Sequence, residues 1–256
     1  MPTNLLSLVR DLHRRKGRRR RGLAVAEGVR LVEEALGAGV PFTGAVVADD
    51  FGRTARGAAL LEALAAHAVP VEEVTARILV QLADTDTPQG VLAVLEPPRS
   101  QLAEIVPAPG APVLVVDAVQ DPGNVGALLR TAFALGCAGA VLLAGSADPA
   151  NAKVMRAAMG ATFRLPWAPA IEGELAAWAR NADITLWAAA GDGTPVGRLA
   201  RPERLGLVVG NEGAGVRPEI RRLAQASVAV PLARGAESLN VAVAAGIILF
   251  EVLRAS

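Results

Sequence analysis

The chain has 256 residues, 52% of them hydrophobic but only 3% aromatic, so Ala, Val and Leu must do the packing in one large domain or two modest ones. A single cysteine, Cys137, excludes an internal disulfide and points to a reducing, cytoplasmic setting, while the isolated His13 and His67 form no cluster with metal-ligand spacing. The net charge is only +1, and no run reaches the roughly 18 apolar residues that a membrane span requires.

In chain order, Leu5–Arg10 reads as a helix, and the start lacks the apolar core of a signal peptide. Residues 10–21 (RDLHRRKGRRRR) hold eight of the 26 Lys and Arg but one of the 25 acids, which leaves 18 basic and 24 acidic residues for the remainder. Such a localised block reads as a contact for polyanions, chiefly nucleic acid, with a solvated or disordered arm as the plainer alternative. Strands follow at Leu23–Ala26, Gly44–Ala48, within Val69–Val74 and at Val91–Leu95, alternating with helices at Val29–Ala38, Ala58–His67 and Ala76–Ala83. Together they predict a small α/β domain. Five of the 17 prolines fall in 97–112, which marks a linker, with a short helix inside it at Gln101–Val106.

Beyond the linker, Val113–Val116 is a strand of β-branched residues and leucine, expected to be buried on both faces. Helix Val125–Leu135 should turn Val125, Leu128, Leu129, Ala132 and Phe133 to the core, with Asn124 as its N-cap and Gly136 as its left-handed stop. Further strands are expected at Ala140–Leu143, Ile184–Ala188, Leu205–Val209 and Val228–Val230. Helices are expected at Asn151–Met159, Arg217–Ala224 and Asn240–Leu253, and the apolar run Val241–Phe250 reads as a buried helix. The alternation predicts a mostly parallel sheet with helices on both faces and ligands beyond the carboxyl ends of its strands.

Three segments in this half each lead a polar or glycine-rich loop into a helix: DPGNVGALLR at 121–130, GNEGAG at 210–215 and ESLNVAVAAG at 237–246. GNEGAG and GDGTPVG (191–197) both miss the Gly-x-Gly-x-x-Gly spacing, which disfavours a dinucleotide-dependent dehydrogenase. Each polar residue has a plainer reading. Asn124, Ser238 and Asn240 could cap helices, Glu212 could meet a helix start, and Arg130 could be a surface arginine.

Taken together, the segments resemble the SpoU/TrmH family of RNA 2′-O-ribose methyltransferases, in the SPOUT superfamily. The matching patterns are Asn-x-Gly-x-x-x-Arg (Asn124, Gly126, Arg130), Asn-Glu-Gly-x-Gly (211–215) and Ser-Leu-Asn-Val-Ala (238–242). VAEGVRLVEEAL (25–36) and TPQGVLAVLE (87–96) resemble the ribosomal-protein-like substrate-binding domain often fused ahead of the catalytic one. The resemblance implies residues 1–96 as an RNA-binding domain with a basic arm and 113–256 as an α/β domain with a deep C-terminal trefoil knot. It also implies a homodimer whose active site lies at the subunit interface. S-Adenosylmethionine is the implied cofactor, contacted around Gly191, Gly210, Val230, Leu232 and Leu239. Asn124, Arg130, Glu212, Ser238 and Asn240 are implied near the methyl-transfer centre. No metal is implied. On this reading Arg14, Arg15, Lys16, Arg18, Arg19, Arg20 and Arg21 tether the RNA through its phosphates. Ribosomal RNA is the expected substrate. Transfer RNA is the alternative, and a non-catalytic RNA-binding assembly protein is the rival.

Overall fold

The computed structural model describes residues 4–254. They form two compact units: the residues up to Pro98 together with Asp148–Phe163, and Arg99–Ala147 together with the residues from Arg164 onward.

In the first unit, helices α1 (Leu5–Leu12) and α2 (Arg15–Arg21) precede β1 (Ala24–Glu27), α3 (Val29–Gly37), β2 (Phe42–Ala48), α4 (Ala55–Ala66), β3 (Val71–Val74), α5 (Ala76–Leu82) and β4 (Val91–Leu95). The sheet order is β1-β4-β2-β3, with β4 antiparallel to both neighbours and β2 parallel to β3. Every residue of β4 is fully buried, as expected for an inner strand without polar alternation.

The basic run is a folded helix. Gly17 is required inside it, because a Cβ there would collide with the backbone carbonyl of Asp11, and Gly22 (φ 70°) ends it in the left-handed conformation. Arg18 is 4% exposed. Its guanidinium donates to the Leu12 and His13 carbonyls at 3.1 and 3.0 Å and pairs with Asp148 at 3.0 Å. Arg20 and Arg21 both pair with Asp11, at 2.9 and 2.7 Å, and Arg21 above all holds that carboxyl below the usual aspartate range. The expectation of seven RNA-facing cations is therefore corrected at Arg18, whose charge is consumed inside the fold.

The second unit opens with β5 (Val113–Val116), α6 (Pro122–Ala134) and β6 (Gly139–Leu143). The next helix, α7 (Ala152–Ala158), belongs to the first unit. There Ala150, Met155 and Phe163 join the core, and Arg156 pairs with Glu27 and Asp84. The uninterrupted span 113–256 expected for the second domain is thus broken by Asp148–Phe163. The chain continues with β7 (Trp167–Ala170), α8 (Glu172–Asn181), β8 (Thr185–Pro195), β9 (Leu205–Val209), α9 (Pro218–Arg221), β10 (Ala226–Ala229) and α10 (Val241–Arg254). The sheet, β10-β8-β9-β5-β6-β7, is parallel at every pairing.

The proline-rich stretch is mostly part of this second unit. Ile105 is fully buried, its carbonyl accepts from the Trp178 indole at 2.9 Å, and the expected helix 101–106 shrinks to one 3-10 turn, Leu102–Glu104. Two helices differ from expectation in their faces. Val125, Leu128, Leu129 and Ala132 of α6 are fully buried, but Phe133 is 43% exposed. On α10, Ala245 and Leu249 are fully buried whereas Val243, Ile247 and Phe250 are exposed. The two helices pack closely, since a Cβ at Gly246 would lie 3.3 Å from the Thr131 methyl.

Candidate active site

The centre of the parallel sheet places β5 beside β9, and both strands end on loops that carry motif residues. At the end of β5, Asp117 is fully buried. Arg217 closes on it with its backbone N–H (2.8 Å), its Nε (2.8 Å) and its Nη2 (2.6 Å), which ties the loop after β9 to the loop after β5. An unpaired carboxylate at that depth would cost several kcal/mol. Between these anchors Asn211 and Gly215 exchange backbone hydrogen bonds at 3.0 and 2.9 Å, and the Asn211 Oδ1 accepts from the N–H groups of Gly213 and Ala214. The ring closes only because Gly210 has no side chain. A Cβ there would collide with the backbone of Gly215 and Val216.

Asp121 caps α6 by accepting from the Asn124 N–H at 2.8 Å, so Asn124 lies in the first turn and is not the cap. This frees its side chain for a bridge. The Asn124 Nδ2 donates to Glu212 Oε1 at 2.9 Å, and its Oδ1 accepts from the Asn240 Nδ2 at 2.8 Å. Asn240 in turn caps α10, its Oδ1 accepting from the N–H groups of Ala242 and Val243 at 2.9 and 3.3 Å. Every amide orientation is forced. Backbone donors claim the Asn240 oxygen, so its nitrogen must point to Asn124, and the Asn124 nitrogen must then point to a carboxylate that can only accept. Burial pushes the Glu212 carboxyl up. Hydrogen bonds from Asn124 and from backbone N–H groups outweigh this and hold it below the usual glutamate value.

A cleft of about 670 Å³ lies alongside, walled by the second half of β8, the ends of β9 and β10 with the loops that follow them, and the first two turns of α10. Gly191, Gly210, Val230, Leu232 and Leu239 all line it, as do Glu212, Ser238 and Asn240. A Cβ added at Gly191 would meet no atom within 4 Å, so any side chain there would project into open space. At the rim Arg221 grips Asp192 with bonds of 2.8 and 2.9 Å and lowers its pKa.

Residues 111–250 match a family model described as the SpoU rRNA Methylase family, and residues 6–93 match one described as an MRM3-like substrate binding domain. The chain belongs to the SpoU rRNA methylase family. A 23S rRNA (guanosine(2553)-2'-O)-methyltransferase of Bacillus subtilis is 35% identical over 245 residues, covering 94% of this chain and 92% of the relative. An AdoMet-bound rRNA methyltransferase from Sinorhizobium meliloti superposes with a TM-score of 0.87 at 31% identity, covering 100% of this chain and 96% of that one. The SpoU methyltransferase AviRb from Streptomyces viridochromogenes, in complex with AdoMet, gives 0.86 at 29% identity, covering 100% and 98%.

Within this SpoU chain the motif residues divide into two groups. Asn124, Glu212 and Asn240 form one network, and Ser238 lies exposed in the adjoining cleft with no side-chain hydrogen bond among the described residues. Arg130 stands apart. It is exposed on α6, lies outside the cleft lining, and makes no hydrogen bond or ion pair among the described residues. It shares a helix face with Ala127 and Phe133, three residues to either side. Sequence reasoning missed Asp117 and Arg217. The available signal was a carboxylate directly after four buried apolar strand residues, at the end of a parallel strand where a charge needs a partner.

Proposed function

We propose that this SpoU methyltransferase moves a methyl group from S-adenosylmethionine to a ribose 2′-OH of ribosomal RNA, in the cytoplasm, with Asn124, Arg130, Glu212, Ser238 and Asn240 at the transfer centre. The observation that carries the reading is the Glu212–Asn124–Asn240 network, which joins all three motif loops beside one cleft. The cleft suits the cofactor. Its walls combine backbone with apolar side chains such as Val209, Leu232 and Ile248, and the ionised Glu212 favours a cationic ligand. Gly191, Gly210, Val230, Leu232 and Leu239 would hold it. When bound, S-adenosylmethionine supplies a methyl already activated on a sulfonium, so no metal is required.

The chain's own residues supply position and charge. An arginine stays protonated at any working pH, so Arg130 holds the target phosphate and stabilises the negative charge that develops on the 2′-oxygen. Asn124 fixes the start of α6 relative to Glu212 and Asn240, and the Ser238 hydroxyl, exposed in the cleft, meets the substrate. Because Arg130 lies outside its own cleft and is exposed on α6, the helix whose Ala127 and Thr131 border the exposed Val243, Ile247 and Phe250 of α10, it acts in the cleft of a second copy. Burial of this apolar face is the driving force for a homodimer. Residues 230–240 return from the edge strand β10 to the network at Asn124, the path by which the chain end forms the trefoil knot. In the first unit, residues 1–96 bind RNA, with the exposed Arg14, Arg15, Lys16 and Arg19 as the phosphate contacts.

The test is methyl transfer from labelled S-adenosylmethionine to separated ribosomal and transfer RNA pools, followed by nuclease mapping. A 2′-O-methyl mark in ribosomal RNA is expected. A mark confined to transfer RNA would overturn the substrate, and absence of cofactor binding would overturn the enzyme.

A further inference from the structure

The first unit contains a cavity of about 350 Å³ that has no part in the chemistry above. Gly28, Leu31 and Met159 contribute apolar wall, and Arg30, Thr87 and Gln89 lie at its lining with polar groups to spare. The cavity is built by a buried carboxylate. Glu27 accepts from the N–H groups of Asp84 and Thr85 at 2.9 and 3.2 Å, from the Thr85 hydroxyl, and from Arg156 at 3.2 Å. Arg156 also reaches Asp84 at 2.8 Å, which fixes α7 to the loop after α5. The Gln89 Oε1 accepts the Val29 N–H at 3.0 Å, so the amide is oriented, and its Nε2 donates to no group among the described residues. Arg30 is exposed and makes no hydrogen bond or ion pair among the described residues.

We propose that this cavity takes one unstacked base of the RNA substrate, a contact separate from the methylated nucleotide; it rests on the reading of RNA as substrate. Three features select the occupant. A cavity of this volume admits a single nucleoside and excludes a duplex. Its apolar wall accepts the face of a base, while Gln89 Nε2 and the Thr87 hydroxyl can meet the acceptors on a base edge. Arg30, at the exposed edge of the lining, is placed to meet the phosphate that flanks the base.

The experiment measures fluorescence anisotropy of the full-length protein with a labelled abasic RNA octamer and with octamers that restore one base at a central position. At least one base should tighten binding by about five-fold or more, the range expected for a stacked base. Gln89→Leu and, independently, Thr87→Val should diminish that preference, whereas Arg30→Ala should weaken abasic and base-bearing octamers alike. In methyl transfer, Gln89→Leu should raise KM for ribosomal RNA and leave kcat and cofactor binding unchanged. Equal binding of abasic and base-bearing octamers, or an unchanged preference in both polar variants, would overturn the proposal. Octamer binding is read without turnover, so a wild-type protein that methylates nothing would sink the activity and leave this contact to be judged on its own.

Discussion

In α2 the charged side chains diverge, and in the cleft of the second unit the polar side chains converge. Arg18 turns inward to Asp148 and two carbonyls, Arg20 and Arg21 fold back on Asp11, and Arg14, Arg15, Lys16 and Arg19 remain exposed. In the cleft, Glu212, Asn124 and Asn240 are brought from positions far apart in the chain to within 2.9 Å of their partners. The first arrangement results from one buried cation satisfying local carbonyls and a distant acid. The second results from the direction of each donor, which leaves a single consistent pattern. Charge density thus locates a surface, and only convergence of polar groups locates chemistry.

The largest effect should come from Arg130. Arg130→Ala should lower turnover by about 10²–10³-fold, as for other lost groups that stabilise developing charge, with cofactor binding unchanged in calorimetry. Gly191→Trp should abolish cofactor binding without unfolding the chain, because the side chain enters open space. In the proposed homodimer, mixing the two inactive variants should restore about a quarter of wild-type activity, since half the dimers would be mixed and each would hold one intact site. No recovery on mixing would mean that Arg130 serves the cleft of its own copy.

A second pair of variants separates neighbouring arginines of one helix. Arg18→Ala leaves Asp148 without its cation and the Leu12 and His13 carbonyls without that donor, and should destabilise the fold by about 3–5 kcal/mol, read as a lowered denaturation midpoint. Arg19→Ala should leave stability within about 0.5 kcal/mol but reduce the slope of log K for RNA against log salt by about 0.7–0.9. If Arg19→Ala leaves that slope unchanged, α2 is a structural helix and no RNA contact.

Much of this architecture was legible in the sequence, and the exceptions have physical causes. β7 is not legible because Pro169 breaks a strand pattern, yet β7 is the sheet edge, where a missing N–H costs no ladder bond. β8 runs beyond Ala188 because Gly193 lets the β10 backbone approach closely, with a register shift between Ser227 and Val228. Phe133, Val243, Ile247 and Phe250 satisfy a helical core pattern, but periodicity does not say whether the covering surface belongs to the same chain. The motif residues were legible as a set because their types and order are specific. Asp117 and Arg217 were not, because a buried ion pair leaves no local pattern linking its two members.

The smallest expected effect tests the convergence itself. Glu212 is held below the ordinary glutamate value of 4.5, so its ionised form contributes fully above that value and is lost as pH falls through the lower, folded one. Asn124→Ala removes the side-chain donor while the desolvation remains, so the Glu212 carboxyl should move upward. The acid limb of cofactor binding should then begin at higher pH in the variant, with affinity near pH 7 little altered. An acid limb that does not move would mean that the backbone donors alone set the charge of Glu212, and that Asn124 serves only to hold α6 and α10 together.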